Sequence, residues 1–68
     1  MQKIHAVVNH LRFLVGRDVT GHWVAVEKSG RAGGLFASRE AALCYATRET
    51  GHRPGAVKMS RRPIAFPF

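Results

Sequence analysis

Cys44 is the only cysteine in a chain of 68 residues, so no intrachain disulfide can hold the fold together. A chain of this length forms one small domain, which buries only about 60% of the surface that its unfolded form exposes. Small domains without disulfides depend on their hydrophobic core or on a partner. We therefore expect one thin core between a sheet and a helix, with dimerisation as one way to bury further apolar surface.

The middle of the chain has the composition of short strands separated by turns. Residues 22–28, HWVAVEK, are rich in aromatic and β-branched side chains, and turn-forming residues occupy 18–21 and 29–31 on either side. Residues 11–17 carry alternating apolar side chains, which predicts a hairpin with the 22–28 strand. Residues 34–37, GLFA, indicate a third strand.

A helix is predicted directly after the third strand. Ser38 suits the N-cap, residues 39–50 are rich in helix-favouring side chains, and Gly51 suits the position that follows a helix. Small side chains on the inner face would let this helix lie close to the strands. The stripe expected to face the sheet or its margin contains Ala42, Leu43, Tyr45, Ala46 and Glu49.

The two ends of the chain are less regular. Residues 3–10 have apolar positions at helical spacing but also good strand formers, and we favour a strand over a helix. Residues 56–60 predict a fourth strand. Residues 61–68 contain two prolines and no helical pattern, which predicts an extended tail with Ile64 and Phe66 against the core.

These elements together predict an α+β fold in the order β-β-β-α-β, a small antiparallel three- to four-stranded sheet packed on one helix. Residues 1–60 are expected to form the single domain, and residues 61–68 a basic, proline-containing C-terminal tail. The pattern contains no internal repeat that would divide the chain further.

The charge balance is the unusual global feature. The formal net charge is +7 and the isoelectric point is near 11.3, a balance that favours attraction to polyanions such as nucleic acid. The alternative is that the charge only maintains solubility. Residues 51–68 hold four basic residues and no acid. No apolar run is long enough to span a bilayer and residues 1–5 do not resemble a secretion signal, so a cytoplasmic location is expected.

Catalytic and metal-binding patterns are missing from the sequence. Cys44 lies mid-helix, away from the N-terminus that would activate its thiol, and the four acidic residues are scattered rather than paired. The four histidines lack the spacing of metal ligands, and the glycines of residues 30–34 do not form a phosphate-binding motif. We predict no enzymatic activity, no metal site and no cofactor.

A basic surface beside Trp23 is the remaining candidate site. Cations beside an aromatic ring are typical of proteins that bind single-stranded nucleic acid. The alternative is that Trp23 is the main core residue, packed against Ala42 and Ala46. The candidate nucleic-acid-binding residues are Arg12, Arg17, Lys28, Arg31, Arg53, Lys58, Arg61 and Arg62.

Residues 21–26, GHWVAV, and residues 33–42, GGLFASREAA, followed by Tyr45-Ala46, resemble a family of small bacterial proteins of unknown function. Its members share a G-x-W-x-V strand and an L-F-x-S-x-x-A-A strand–helix junction, and the resemblance covers roughly residues 11–60. It implies the β-β-β-α order and no activity. The F-x-S-x-x-A-A junction is also similar to the arm-type DNA-binding domains of phage-type integrases. That resemblance implies three strands against one helix, with DNA read by the sheet.

From this we predict a non-enzymatic binding module for an anionic partner, with nucleic acid as the first expectation. The strand cations would contact phosphates, and the C-terminal cations would extend the contact. The alternative is a protein-interaction or structural module that acts as a homodimer through an edge strand or the N-terminal segment.

Overall fold

The computed structural model describes residues 11–65. Within these residues, four strands and one helix follow the predicted order: β1 (Phe13–Arg17), β2 (Trp23–Glu27), β3 (Gly33–Phe36), α1 (Arg39–Glu49) and β4 (Val57–Met59). The strands form one sheet in the spatial order β3-β2-β1-β4, and α1 packs on one of its faces. The α+β prediction is therefore confirmed. Among residues 11–65, no helix is long and apolar enough to cross a lipid bilayer.

The sheet is mixed, so the prediction of an antiparallel sheet is wrong at β4. β1 pairs antiparallel with β2, and β2 pairs antiparallel with β3, but β4 lies parallel to β1. The reason is the helix between β3 and β4. α1 crosses the sheet from the β3 edge to the opposite edge and returns the chain to the end at which β3 began. β4 therefore runs in the same direction as β3, and β3 runs in the same direction as β1.

The turn between β1 and β2 forms where the sequence predicts it. The amide of Asp18 donates to the carbonyl of His22 at 2.9 Å, and the amide of Gly21 donates to the carbonyl of Asp18 at 3.0 Å. Gly21 has φ +92°, a conformation that other residues rarely adopt. β1 starts at Phe13, two residues later than predicted.

Both ends of α1 are capped as predicted. The Ser38 hydroxyl accepts a hydrogen bond from the amide of Ala41 at 3.1 Å, and the Ser38 backbone is extended, as an N-cap requires. Thr50 is the C-cap, and its buried hydroxyl donates to the carbonyl of Ala46 at 2.9 Å. Gly51 follows with φ +65°, the left-handed conformation that ends many helices.

The main core lies between α1 and the sheet. Ala42 and Ala46 are fully buried against the sheet, which confirms the expected close approach of the helix. The Tyr45 ring packs edge-on against Phe13, with ring centroids 5.6 Å apart. Glu49 is exposed, so it lies outside the buried part of the predicted stripe. The buried members of this cluster are Phe13, Val15, Ala25, Ala42 and Ala46.

A second, smaller cluster covers the outer face of the sheet, which is the face away from α1. Val24 and Val26 are buried there against Ile64, with Leu14 beside them. The segment 60–64 reaches this position by continuing past β4: Ser60 donates to the carbonyl of Val15 and Ile64 to the carbonyl of Arg17, both at 2.8 Å. Ile64 therefore packs on the sheet as expected. Residues 3–10 and Phe66, for which the sequence also made predictions, lie outside the described residues.

Candidate nucleic-acid interface

The first part of the site is a pair of residues at the end of the β1–β2 ladder. Arg17 is the last residue of β1 and Trp23 the first of β2, and they face each other across the ladder. The guanidinium carbon of Arg17 lies over the indole, 4.8 Å from its ring centroid, which is cation–π geometry. Trp23 also packs against the main core but remains half-buried. The Trp23 ring therefore contacts the core on one side and a cation on the other.

Arg61 and Arg62 approach the same pair from the chain that follows β4. This region is held to β1 by the hydrogen bonds that the backbone amides of Ser60 and Ile64 donate. The Ser60 hydroxyl also donates to the carbonyl of Arg62 at 2.7 Å. Three arginines consequently surround one cleft of about 240 Å³. We name it the end cleft; its lining residues are Gly16, Arg17, Trp23, Met59, Ser60, Arg61, Arg62 and Pro63.

Three further cations gather at the opposite end of β1, and we name Arg12, Lys28 and Lys58 the strand cations. The amide of Lys28 donates to the carbonyl of Arg12 at 2.9 Å, which makes them cross-strand partners. Lys58 is aligned with Leu14 in the parallel β1–β4 register, so it projects to the same outer face. All three strand cations are exposed and line a pocket of about 80 Å³. At a rise of about 3.4 Å per residue, Arg12 and Arg17 lie about 17 Å apart along the strand.

An apolar groove of about 490 Å³ lies on the outer face between the two groups of cations. This outer groove shares Ser60 and Pro63 with the end cleft, and it shares Leu14 and Lys28 with the pocket of the strand cations. The three hollows therefore form one continuous surface. The outer groove is lined by Leu14, Val26, Glu27, Lys28, Ser29, Gly30, Ser60, Pro63, Ile64 and Ala65.

Glu27, the acid nearest to this surface, is occupied by backbone amides. Its carboxylate is nearly buried and accepts hydrogen bonds from the amides of Ser29 at 3.0 Å and Arg31 at 3.1 Å. Burial acts to raise the pKa of Glu27, but the amides of Arg31 and Ser29, together with the charge of Arg31, outweigh it and hold the pKa below its ordinary value. The carboxylate thus fixes the β2–β3 turn instead of neutralising a strand cation.

Asp18 is engaged in the same manner within the β1–β2 turn. It accepts from the Thr20 hydroxyl at 2.8 Å and from the amides of Thr20 and His22, each at 2.9 Å. The Thr20 hydroxyl and these amides lower the pKa of Asp18, against a smaller raising effect of partial burial. Within residues 11–65, no Lys or Arg side chain pairs with a carboxylate; the ionic contact found there joins His22 Nδ1 to Asp18 Oδ2 at 3.6 Å.

The eight predicted site residues therefore divide into separate groups. Arg17, Arg61 and Arg62 meet at the end cleft, and Arg12, Lys28 and Lys58 meet at the strand cations. Arg31 is exposed in the turn beyond Lys28. Arg53 is half-buried, and its guanidinium donates to the carbonyl of Leu11, which ties the α1–β4 connection to the start of β1.

Sequence reasoning missed Met59, Ser60 and Pro63 as lining residues of the end cleft. The sequence predicted residues 61–68 only as an extended tail, and the position of Ser60 and Pro63 beside Trp23 follows from the parallel docking of β4. In the described part of the chain, no three His, Cys, Asp or Glu side chains are grouped as a metal ion would require. No protein-family model, curated protein or solved structure matches the chain.

Proposed function

We propose that the protein is a small, non-enzymatic nucleic-acid-binding module. The observation that carries this proposal is the convergence of Arg17, Arg61 and Arg62 on one cleft, where no carboxylate of residues 11–65 is paired to them. Guanidinium groups bind phosphate oxygens through two parallel hydrogen bonds, so such a cleft suits a phosphodiester backbone. The proposed contact surface runs from the end cleft across the outer groove to the strand cations.

The electrostatics of the sheet support a polyanionic partner. Glu27 and Asp18 are the acids closest to these cations, and both are hydrogen-bonded to backbone amides of their own turns. Arg12 and Lys28 stand opposite each other with like charge, an arrangement that destabilises a sheet in isolation. A ligand with closely spaced phosphates would relieve this repulsion.

The test is a salt titration with two matched double variants. Arg61→Gln/Arg62→Gln removes two charges from the end cleft, whereas Arg39→Gln/Arg48→Gln removes two exposed charges from α1. Fluorescence anisotropy with a labelled oligonucleotide gives log K against log salt concentration for each protein. We expect the first variant to flatten the slope by about 1.4–1.8, and the second to leave it nearly unchanged. Equal slopes for both variants, or no binding at low salt, would overturn the proposal.

A second candidate function is self-association through β3. Within residues 11–65 this strand forms one edge of the sheet, and Leu35 on it is 56% exposed, so the edge presents a large apolar side chain to a partner strand. Sedimentation equilibrium over a range of concentrations tests it. A dimer that dissociates in the Leu35→Lys variant would support self-association, and a monomer at every concentration would remove it.

A further inference from the structure

The arrangement of the end cleft bears on the form of nucleic acid that fits it. Arg17 is held over the Trp23 indole, and the indole is itself packed against the main core. The Arg17 backbone is also fixed, because its carbonyl accepts from the amide of Ile64 at 2.8 Å. The guanidinium therefore lies over an aromatic ring, while the Arg17 side chain remains exposed and open to a ligand. Arginine planes in such positions stack on unpaired bases.

We propose, on the basis of the proposed function, that the end cleft binds an unpaired base stacked on the Arg17 guanidinium. Arg61 and Arg62, which line the same cleft, contact the phosphates that flank this base. The module consequently prefers single-stranded to double-stranded nucleic acid.

The size of the cleft is consistent with one base. Pockets for drug-sized ligands measure about 300–1,000 Å³, and the end cleft, at about 240 Å³, is smaller. In a duplex each base is stacked between its neighbours and offers only its edges to a protein. A double helix could reach the cations of the cleft with its phosphates, but it could not place the plane of a base on Arg17.

The outer groove favours the same form of ligand. Leu14, Val26 and Ile64 make its lining largely apolar, and cations stand at both of its ends. Bases that are not paired have apolar faces to bury in such a groove, while their phosphates remain near the cations. A duplex turns its phosphates outward and would leave this apolar lining without contact.

The experiment compares two charge-conserving variants on two probes. The probes are fluorescein-labelled oligothymidylate and the duplex that it forms with oligoadenylate. Arg17→Lys keeps the charge but loses the planar fork, and Arg48→Lys makes the same exchange on the exposed face of α1, away from the proposed contact surface. We expect the native protein to bind the single strand more tightly than the duplex. We expect Arg17→Lys to lose about five- to tenfold in affinity for the single strand, with a smaller change for the duplex and nearly none for Arg48→Lys on either probe.

Trp23 supplies a second readout because it is the only tryptophan in the chain. Its intrinsic fluorescence should change when oligothymidylate binds to the native protein or to Arg48→Lys, and should change much less with the duplex. Circular dichroism verifies that both variants fold. Equal affinities for the two probes together with equal effects of the two variants would overturn this inference and leave the proposed function standing. Failure of both probes to bind at low salt would overturn both.

Discussion

Gly16 and Ile64 are in such close contact that a Cβ atom at position 16 would fit only if its neighbours moved by a few tenths of an ångström. A Cβ atom built on Gly16 would lie 3.1 Å from Ile64 Cδ1 and 3.1 Å from the Ser60 Cβ. β1 therefore carries a glycine at the point where the segment 60–64 crosses the outer face. This contact sets how closely the segment that carries Arg61 and Arg62 approaches the sheet.

Gly16→Ala is expected to destabilise the fold by about 1 kcal/mol. Overpacking of a well-filled site costs about 1–3 kcal/mol, and the reduced backbone freedom of alanine offsets about 0.5–1 kcal/mol of that. Urea denaturation measures the change. Ile64→Val removes the Cδ1 atom, so Gly16→Ala should cost less in that background; an equal cost in both backgrounds would show that Ile64 is not the obstacle.

Lys28→Glu is expected to stabilise the fold while weakening nucleic-acid binding. The change places opposite charges in the exposed Arg12–Lys28 cross-strand pair, and such pairs contribute about 0.2–1 kcal/mol. Denaturation at low and high salt measures the gain, which should shrink as salt screens the pair. Lys28→Gln is the matched control, with a smaller gain. A loss of stability in Lys28→Glu would contradict the proposed repulsion among the strand cations.

Ser38→Ala is expected to remove the hydrogen bond to the amide of Ala41 and to destabilise the protein by about 1 kcal/mol. For a domain of this size, such a loss lowers Tm by about 4–8 °C. Thermal unfolding followed by far-ultraviolet circular dichroism, which reports the helix content, measures the change. Ser38→Asp keeps an acceptor at the N-cap and should retain Tm; a similar drop in both variants would point to another role for Ser38.

The stability of the fold is expected to fall in acid because of Glu27. Its pKa is depressed in the folded protein, so its stabilising effect is fully present above the unfolded carboxyl pKa of 4.5 and is lost as pH falls through the lower folded value. Asp18 acts in the same direction, since its pKa is also lowered. Urea denaturation across this pH range should show a smaller acid loss for Glu27→Gln than for the native chain. An unchanged pH dependence would exclude Glu27 as a contributor.

Local sequence signals were sufficient for every element between Phe13 and Met59. The β1–β2 turn depends on Gly21 and the caps of α1 on Ser38 and Gly51, and each of these residues acts on its immediate neighbours. The direction of β4 was not predictable in this way. It depends on which edge of the sheet is available after α1 has crossed it, a property of the whole fold rather than of residues 57–59.

In the candidate site too, features set by neighbouring residues were predictable and features set by the whole fold were not. The period of two along a strand places Arg17 and Trp23 on one face and Arg12 and Lys28 on the other. The sequence predicted Arg12, Arg17, Lys28 and Arg31 beside the Trp23 ring, but the alternation of side chains along the hairpin separates Arg12 and Lys28 from it. The arrival of Arg61 and Arg62 at Trp23 depends on the docking of β4, so the sequence alone indicated only that these arginines are charged and near the C-terminus.

The parallel β1–β4 pair also sets an order of assembly. β1 and β2 are joined by a short turn, and hairpins of this kind form within about 1–10 μs. Phe13 pairs with Val57, and β2, β3 and α1 separate these two residues along the chain. Closing so long a connection costs conformational entropy, which delays the pairing. β4 is therefore expected to dock last and to open first. Lys58, Arg61 and Arg62 lie on β4 or directly after it, so a ligand bound by these residues would favour the state in which β4 is docked. The resistance of the chain to proteolysis would therefore rise with ligand concentration.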